Sequence, residues 1–399
     1  MKELLGKLHV DELQDKVNRR LLYYYYGLIG RDRSKSMVQL DLNTAKRTYG
    51  SYSDVKVHHF LKENEVELKS ARHLPEDEAN SIKPFAIRYD AVILEATNPN
   101  FSFRYNLPFD DQFRAIYEPK ITFEMLGVAK KYLPIPRKLK GTIAYLANTL
   151  TNHFGHWLQC QLPLLVAYWQ VFDKESIDYY YVGDINPSDF QWESLSALGI
   201  RREQVITYPC QGDRSLIAIK YKETDWSKSQ SGLNMDYLSY KFIRGIFTPQ
   251  AEKTVGLPKK IYVRRGNVKV RRVINEDKVL EYLHSIGFTD MSMDGKSMQD
   301  ESDLFSQVEV VIAPHGSALH NLIHANPGTK VIEIFPHGLT DSCNYVIANY
   351  SQCDYYYCIG DPTPSSGIDK DGALYKQSKM DIKVNIKRLQ EVCKLAGLV

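Results

Sequence analysis

Between residues 260 and 335 the chain alternates strand-like and helix-like segments so regularly that few folds remain open to it. Short apolar runs occupy 260–264, 290–293, 308–313 and 330–335. Between them lie stretches of helical apolar spacing at 275–286, closed by Gly287, at 298–307 and at 317–325, the last followed by the turn Pro327-Gly328. Parallel strands need a crossover between neighbours, so this β-α-β-α-β-α-β order predicts a parallel, doubly wound sheet.

The alternation is looser upstream. Strand-like runs fall at 91–94, 142–146, 179–182, 205–208 and 216–219. Helical spacing appears at 152–172, with Trp157, Leu158, Leu162, Leu165 and Trp169 on one face, at 188–198 between a Ser188 cap and Gly199, and at 234–247. Residues 249–258 are polar, with two prolines and a glycine, and read as a linker. A chain of 399 residues suits two domains. The expected division is 1–248, 249–377 and a final helical segment, 378–399.

Composition excludes several function classes. With 43% hydrophobic and 25% charged residues the chain is globular in character. A net charge of +3 is too weak to argue for nucleic acid, but it is compatible with a local basic pocket for an anionic small ligand. Residues 1–20 contain no apolar run long enough for a signal peptide, and no stretch approaches the ~20 apolar residues of a membrane span. The six cysteines are scattered with no CxxC pair, which fits reduced thiols in the cytoplasm. Arg19 and Arg20 precede an aromatic patch, Tyr23 to Tyr26. That patch suits either a membrane surface at its cytoplasmic face or packing within the N-terminal domain; packing is the stronger reading.

In parallel α/β sheets, ligands bind beyond the carboxyl ends of the strands. Here those ends carry Arg264-Arg265-Gly266, then His315-Gly316-Ser317 opening a helix, and Glu333 within a strand. Helix N-termini bind phosphate, glycine lets backbone approach a ligand, arginines fork onto phosphate oxygens, and a carboxylate can accept from ribose hydroxyls. Singly, each is commonly a turn or a surface charge. Together at successive strand ends they favour a phosphate-bearing ligand.

The run Val308-Glu309-Val310-Val311-Ile312-Ala313-Pro314-His315-Gly316-Ser317-Ala318-Leu319-His320-Asn321, followed by Asn326-Pro327-Gly328 and Val331-Ile332-Glu333-Ile334-Phe335, resembles the signature block of glycosyltransferase family 61. Arg264-Arg265 and Arg271-Arg272-Val273-Ile274-Asn275-Glu276 resemble its paired-arginine and R-x-x-N-E elements, and His156-Trp157-Leu158 with Leu162-Pro163 its upstream motif. The resemblance covers about half the chain. It implies a GT-B-like α/β fold: two Rossmann-like domains with parallel sheets facing across a cleft. It also implies inverting transfer from a nucleotide sugar, commonly UDP-linked, to a glycan acceptor, lipid-linked acceptors included, as in capsule or lipopolysaccharide assembly. On this resemblance Arg264, Arg265, Arg272, Asn275, Glu276, His315, Gly316, Ser317, Ala318, Asn321 and Glu333 fall on the donor side.

Inverting transfer needs a base for the acceptor hydroxyl. His156 is the first candidate, with His153 three residues earlier; the bland alternative is a structural histidine packed beside Trp157. Glu95 and Asp225 are carboxylates without a motif. Cys160 stands where the family often has an acidic residue, which keeps open a catalytically silent scaffold that binds nucleotide or glycan. No metal or other cofactor is expected. Asp369-Lys370-Asp371 reads as a turn, and His320 with His324 lacks a third ligand. No G-x-G-x-x-G follows a strand, which counts against an oxidoreductase.

Overall fold

A computed structural model describes residues 32–33, 36–39, 42–62, 68–82, 87, 89–98, 100–117, 132–148, 150–221, 234–250, 255–266, 268, 270–363 and 380–399. The Tyr23 to Tyr26 patch, Asp225 and the Asp369-Lys370-Asp371 motif lie outside them. The chain divides into two units. Unit 1 comprises Met1–Lys62 and Tyr89–Lys222, unit 2 Glu63–Arg88 and Glu223–Val399. Each is discontinuous in sequence, which a linear division cannot express.

In chain order unit 1 carries β1 (Asp32–Arg33), β2 (Ser36–Gln39), β3 (Val55–Lys62), β4 (Tyr89–Thr97), β5 (Phe101–Arg104), β6 (Leu107–Asp110) and β7 (Arg114–Tyr117). These are followed by β8 (Tyr132–Leu133), β9 (Arg137–Lys138), β10 (Thr142–Tyr145), β11 (Tyr179–Tyr181), β12 (Val205–Ile206), β13 (Cys210–Gln211) and β14 (Arg214–Tyr221). One sheet has the order β12-β11-β10-β14-β4-β3. Its first four strands pair in parallel, whereas β4 and β3 are antiparallel additions. The N-terminal half is therefore mixed, a correction to the expected all-parallel sheet.

A second sheet, β2-β7-β6-β5-β13-β9, has antiparallel pairs along β13-β5-β6-β7. Nothing in the sequence reading anticipates it. Its β5–β6 hairpin turns through Tyr105 and Asn106 at φ 49° and 62°. Such positive angles twist the strands correctly but are usually signalled by glycine, which is absent here. Phe103, Tyr145, Tyr181, Ile143 and Ile217 join one buried core drawing on both sheets.

Unit 2 carries β15 (Lys260–Arg264), β16 (Thr289–Ser292), β17 (Val310–Pro314), β18 (Lys330–Phe335) and β19 (Asp354–Ile359). All pairs are parallel, in the order β16-β15-β17-β18-β19. The chain moves from β15 outward to β16, then returns to build β17, β18 and β19 on the other side. The strand order thus reverses between β15 and β17. Helices Glu276–Ser285, Met298–Phe305, Cys343–Tyr350 and Ile386–Leu395 accompany this sheet. Tyr262, Val310, Ile312, Ile332 and Ile334 meet Val279, Leu283, Leu389 and Val392 in its core. The β19 edge is covered by the excursion that includes Arg72, whose N–H donates to Tyr355 O and whose C=O accepts from Tyr357 N, both at 3.0 Å. No described helix is long and apolar enough to cross a membrane.

Candidate functional site

The reversal of strand order between β15 and β17 opens a crevice beyond their carboxyl ends, where open α/β sheets bind ligands. The two arginines ending β15 separate there. Arg264 is exposed and pairs with Glu276 at 2.9 Å and Asp290 at 3.4 Å. Arg265 turns inward: Nη1 donates to His315 O at 3.1 Å and Nη2 to Val270 O at 3.4 Å, while Nε is buried with no partner among the described residues. A Cβ on Gly316 would lie 1.8 Å from Arg265 Nη1. Gly316 has an ordinary extended φ of 171°, so what this position requires is room for the guanidinium, not backbone freedom.

Arg271 joins Arg265. It is half-buried, adopts the left-handed φ of 56°, and its Nε is also buried without a described partner. Burial pushes the Arg265 guanidinium down to about 10, helped by the charge of Arg271. Burial lowers Arg271 too, against the opposing pull of Cys343, Asp341 and Glu333. Burial disfavours the charged form of both guanidiniums, and a bound anion would relieve that cost. Arg272 faces away, paired with Asp381 at 2.5 Å. Asn275 is tied to Val384 by reciprocal bonds of 2.8 and 2.9 Å. Of the residues expected on the donor side, Arg264, Arg272, Asn275 and Glu276 are thus engaged elsewhere in the unit.

Glu333 has no exposed surface. His315 Nδ1 lies 2.6 Å from Oε1, Asn344 Nδ2 donates to the same oxygen at 2.7 Å, and Tyr355 OH donates to Oε2 at 2.5 Å. Both oxygens serve the protein's own donors, a different task from the expected ribose contact. A carboxylate at Nδ1 places the shared proton there and leaves Nε2 as the other working edge of the ring. Asn344 also reaches Gly316 O at 3.4 Å, coupling this network to the turn that seats Arg265.

Residues Ser317–His324 form a 3-10 helix, where helical spacing alone suggested an ordinary helix. Ser317 and Ala318 are half-buried at its start, and Asn321 is buried with Nδ2 lacking a partner among the described residues. Side chains three apart eclipse in a 3-10 helix, so His320 and His324, four apart, do not share a face. Burial, with Arg244 adding to it, pushes His324 down to about 4. No metal-holding group occurs among the described residues.

In unit 1 the stretch expected as one helix is three: Phe154–His156, a π-helical turn Trp157–Gln161, and Leu164–Val171. Wide turns of this kind recur at functional sites. Trp157 is fully buried and donates to Ser194 Oγ at 2.9 Å. His156 is half-buried, its Nδ1 lacks a described partner, and its ring stands 5.1 Å from that of exposed His153. Burial first, then His153, pushes His156 down to about 4. Cys160 is half-buried on the π turn. Glu95 is 8% exposed and accepts from Arg214 and His58 at 2.8 Å each, so it is already neutralised. A cavity of about 500 Å³ lined by Lys174, Asp178, Tyr179 and Gln204 lies at the amino ends of the parallel strands, away from these histidines.

Sequence reasoning missed Arg271 as the inward cation, and missed Asn344 and Tyr355. Arg271 lies in a motif that it read; the other two carry no local signal.

Residues 154–332 match the family model of Glycosyltransferase 61, a stretch that runs from just ahead of the π turn into β18. The match supports a glycosyltransferase of that family. No curated protein matches the chain.

Proposed function

We propose that this chain is an inverting, metal-independent glycosyltransferase of GT-B type. Unit 2 takes a nucleoside-diphosphate sugar, UDP-linked, and unit 1 takes a glycan acceptor of surface-polysaccharide biosynthesis. The observation that carries this reading is the inward pair Arg265 and Arg271 at the strand-order reversal, beside the His315-Gly316-Ser317 turn and within the family match. Guanidiniums held in place there would take up the charge that develops on a leaving diphosphate, the task a metal performs elsewhere. His315, held by Glu333, lies at the turn beside this pair. His156 and His153 contribute to the acceptor side.

The test is nucleotide release from a panel of UDP-, GDP- and CMP-sugars, with and without EDTA and candidate acceptors. Acceptor-stimulated release from one donor, indifferent to EDTA, is the expected result. Tight UDP binding with no turnover would instead favour the silent scaffold that Cys160 keeps open. Absence of both would remove the donor site.

A further inference from the structure

On the resemblance to the family, Cys160 stands where an acidic residue is common, which leaves the base on the acceptor side unassigned. We propose that Asp184, which lies in no motif, is the catalytic base that takes the acceptor's hydroxyl proton. This rests on the glycosyltransferase reading.

The topology narrows the choice. Ligands approach the carboxyl ends of β10, β11, β12 and β14. Asp178 and Asp213 precede β11 and β14, Glu203 precedes β12, and Glu95 pairs with Leu216 near the start of β14. All four therefore sit towards the amino ends. Asp90 lies at the carboxyl side, but it is 6% exposed and already within 2.7 Å of His59 Nε2. Asp189 is exposed in the first turn of Asp189–Ala197, where it complements the helix N-terminus. Asp184 stands three residues beyond the end of β11 and is half-buried.

Its position is fixed from three sides. Tyr181 OH donates to Oδ1 at 2.7 Å and Tyr105 N to Oδ2 at 2.8 Å, while its own N–H donates to Asn106 Oδ1 at 2.7 Å. The adjacent Gly183, at φ 108°, has Asn106 Oδ1 2.6 Å from where a Cβ would stand, so only glycine admits the hairpin tip. This loop is bound to the one bearing His153 and His156: Thr151 Oγ1 donates to Val182 O at 3.1 Å, and Gln191 Nε2 to Thr151 O at 3.0 Å. Each Asp184 oxygen carries one bond and keeps capacity for another.

The electrostatics agree. Burial pushes the Asp184 carboxyl up to about 6, against the bonds from Tyr181 and Tyr105 and the charge of Arg104. The Cys210 thiol is the other titratable group that interacts with it. A base works best with its pKa near the operating pH, which suits Asp184 better than His156. In the step, the carboxylate accepts the acceptor's O–H proton. That oxygen's electron pair forms the bond to the anomeric carbon, on the face opposite the diphosphate. The bond from that carbon to the diphosphate oxygen breaks, and its electron pair leaves with the nucleoside diphosphate.

The test uses the full chain and the donor identified above. Asp184→Asn should lower kcat at least ~100-fold and leave the donor Kd within about threefold. Because this change also alters the tie to the hairpin, Tyr181→Phe is the second variant. It removes a bond that favours the charged carboxylate, so the acid limb of the kcat profile should move to higher pH. A kcat within about tenfold of wild type in Asp184→Asn, or an unmoved acid limb in Tyr181→Phe, overturns the assignment. A wild-type protein without turnover overturns both this and the glycosyltransferase reading, whereas turnover kept by Asp184→Asn overturns only this one.

Discussion

Both units hold a run of parallel strands, yet they surround its carboxyl ends with opposite chemistry. In unit 2 the five strands are all parallel, and the reversal of strand order gathers two guanidiniums and a carboxylate-bound histidine. In unit 1 four parallel strands are extended by antiparallel β4 and β3 and backed by a second sheet, whose hairpin tip reaches the strand ends. What collects there is a histidine that burial keeps neutral and a carboxylate that burial keeps weakly acidic. The comparison teaches that a shared topology fixes where a ligand enters, while the additions to it decide which charge it meets. A cationic site suits a diphosphate; a site with a base and little charge suits a neutral hydroxyl.

The contrast breaks most easily at the inward arginines. Arg265→Ala and Arg271→Ala should each weaken nucleotide-sugar binding by ~2–3 kcal/mol, about 30- to 150-fold, because each removes charge-assisted bonds in a desolvated site. Calorimetric titration with the nucleoside diphosphate measures this, and affinity kept in both variants would dissolve the cationic half of the comparison.

His156→Ala should act on the other unit alone, lowering turnover by ~10-fold or more while the donor Kd stays put. Single-turnover kinetics separate the two quantities. A lost Kd would move His156 to donor binding.

Glu333→Gln replaces an oxygen that accepts from Tyr355 or His315 with an amide N–H. We expect a loss of ~2–4 kcal/mol in the stability of unit 2, read by denaturant unfolding, with unit 1 unchanged. A unit 2 midpoint that does not move would show the network to be dispensable for folding.

Acid sharpens the comparison further. His156 and His324 are both held near 4 in the folded state, below the ordinary 6.5. The folded protein therefore binds fewer protons than the unfolded chain between about 4 and 6.5, and each unit loses stability as pH falls through that window. Asp184, raised to about 6 from 3.8, has the opposite sign: it gains stability as pH falls over nearly the same range. Unit 1 is thus partly compensated, and unit 2 should lose more stability on acidification. Differential scanning at stepped pH tests whether the unit 2 transition falls more steeply, and His324→Gln should narrow the difference.

The smallest effect belongs to Arg264→Ala. Its ion pairs are exposed, so nucleotide affinity should stay within about threefold and stability within ~1 kcal/mol. A large loss of affinity would return Arg264 to the donor site and erase the distinction between the two ends of the Arg264-Arg265 pair.

The sequence by itself determined the middle of unit 2, β15 to β18, but not β19, the helix Cys343–Tyr350 or the excursion that includes Arg72. β15 and β18 begin and end where the apolar runs do, because strands buried on both faces read as continuous apolar segments. It also determined the residues of the His315-Gly316-Ser317 turn, since a close approach of side chain to backbone demands glycine at a fixed place. What only the tertiary structure decided was partnership. Arg264 and Arg265 are identical in type and adjacent, and only the fold sends one to Glu276 and the other under Gly316. Glu333 is legible as a buried carboxylate needing partners, but Asn344 and Tyr355 come from elements 11 and 22 residues away. The second sheet of unit 1 and the seat of Asp184 stayed hidden for the same reason. Local periodicity reports which face of an element is buried, whereas hydrogen bonds between distant elements depend on how those faces meet.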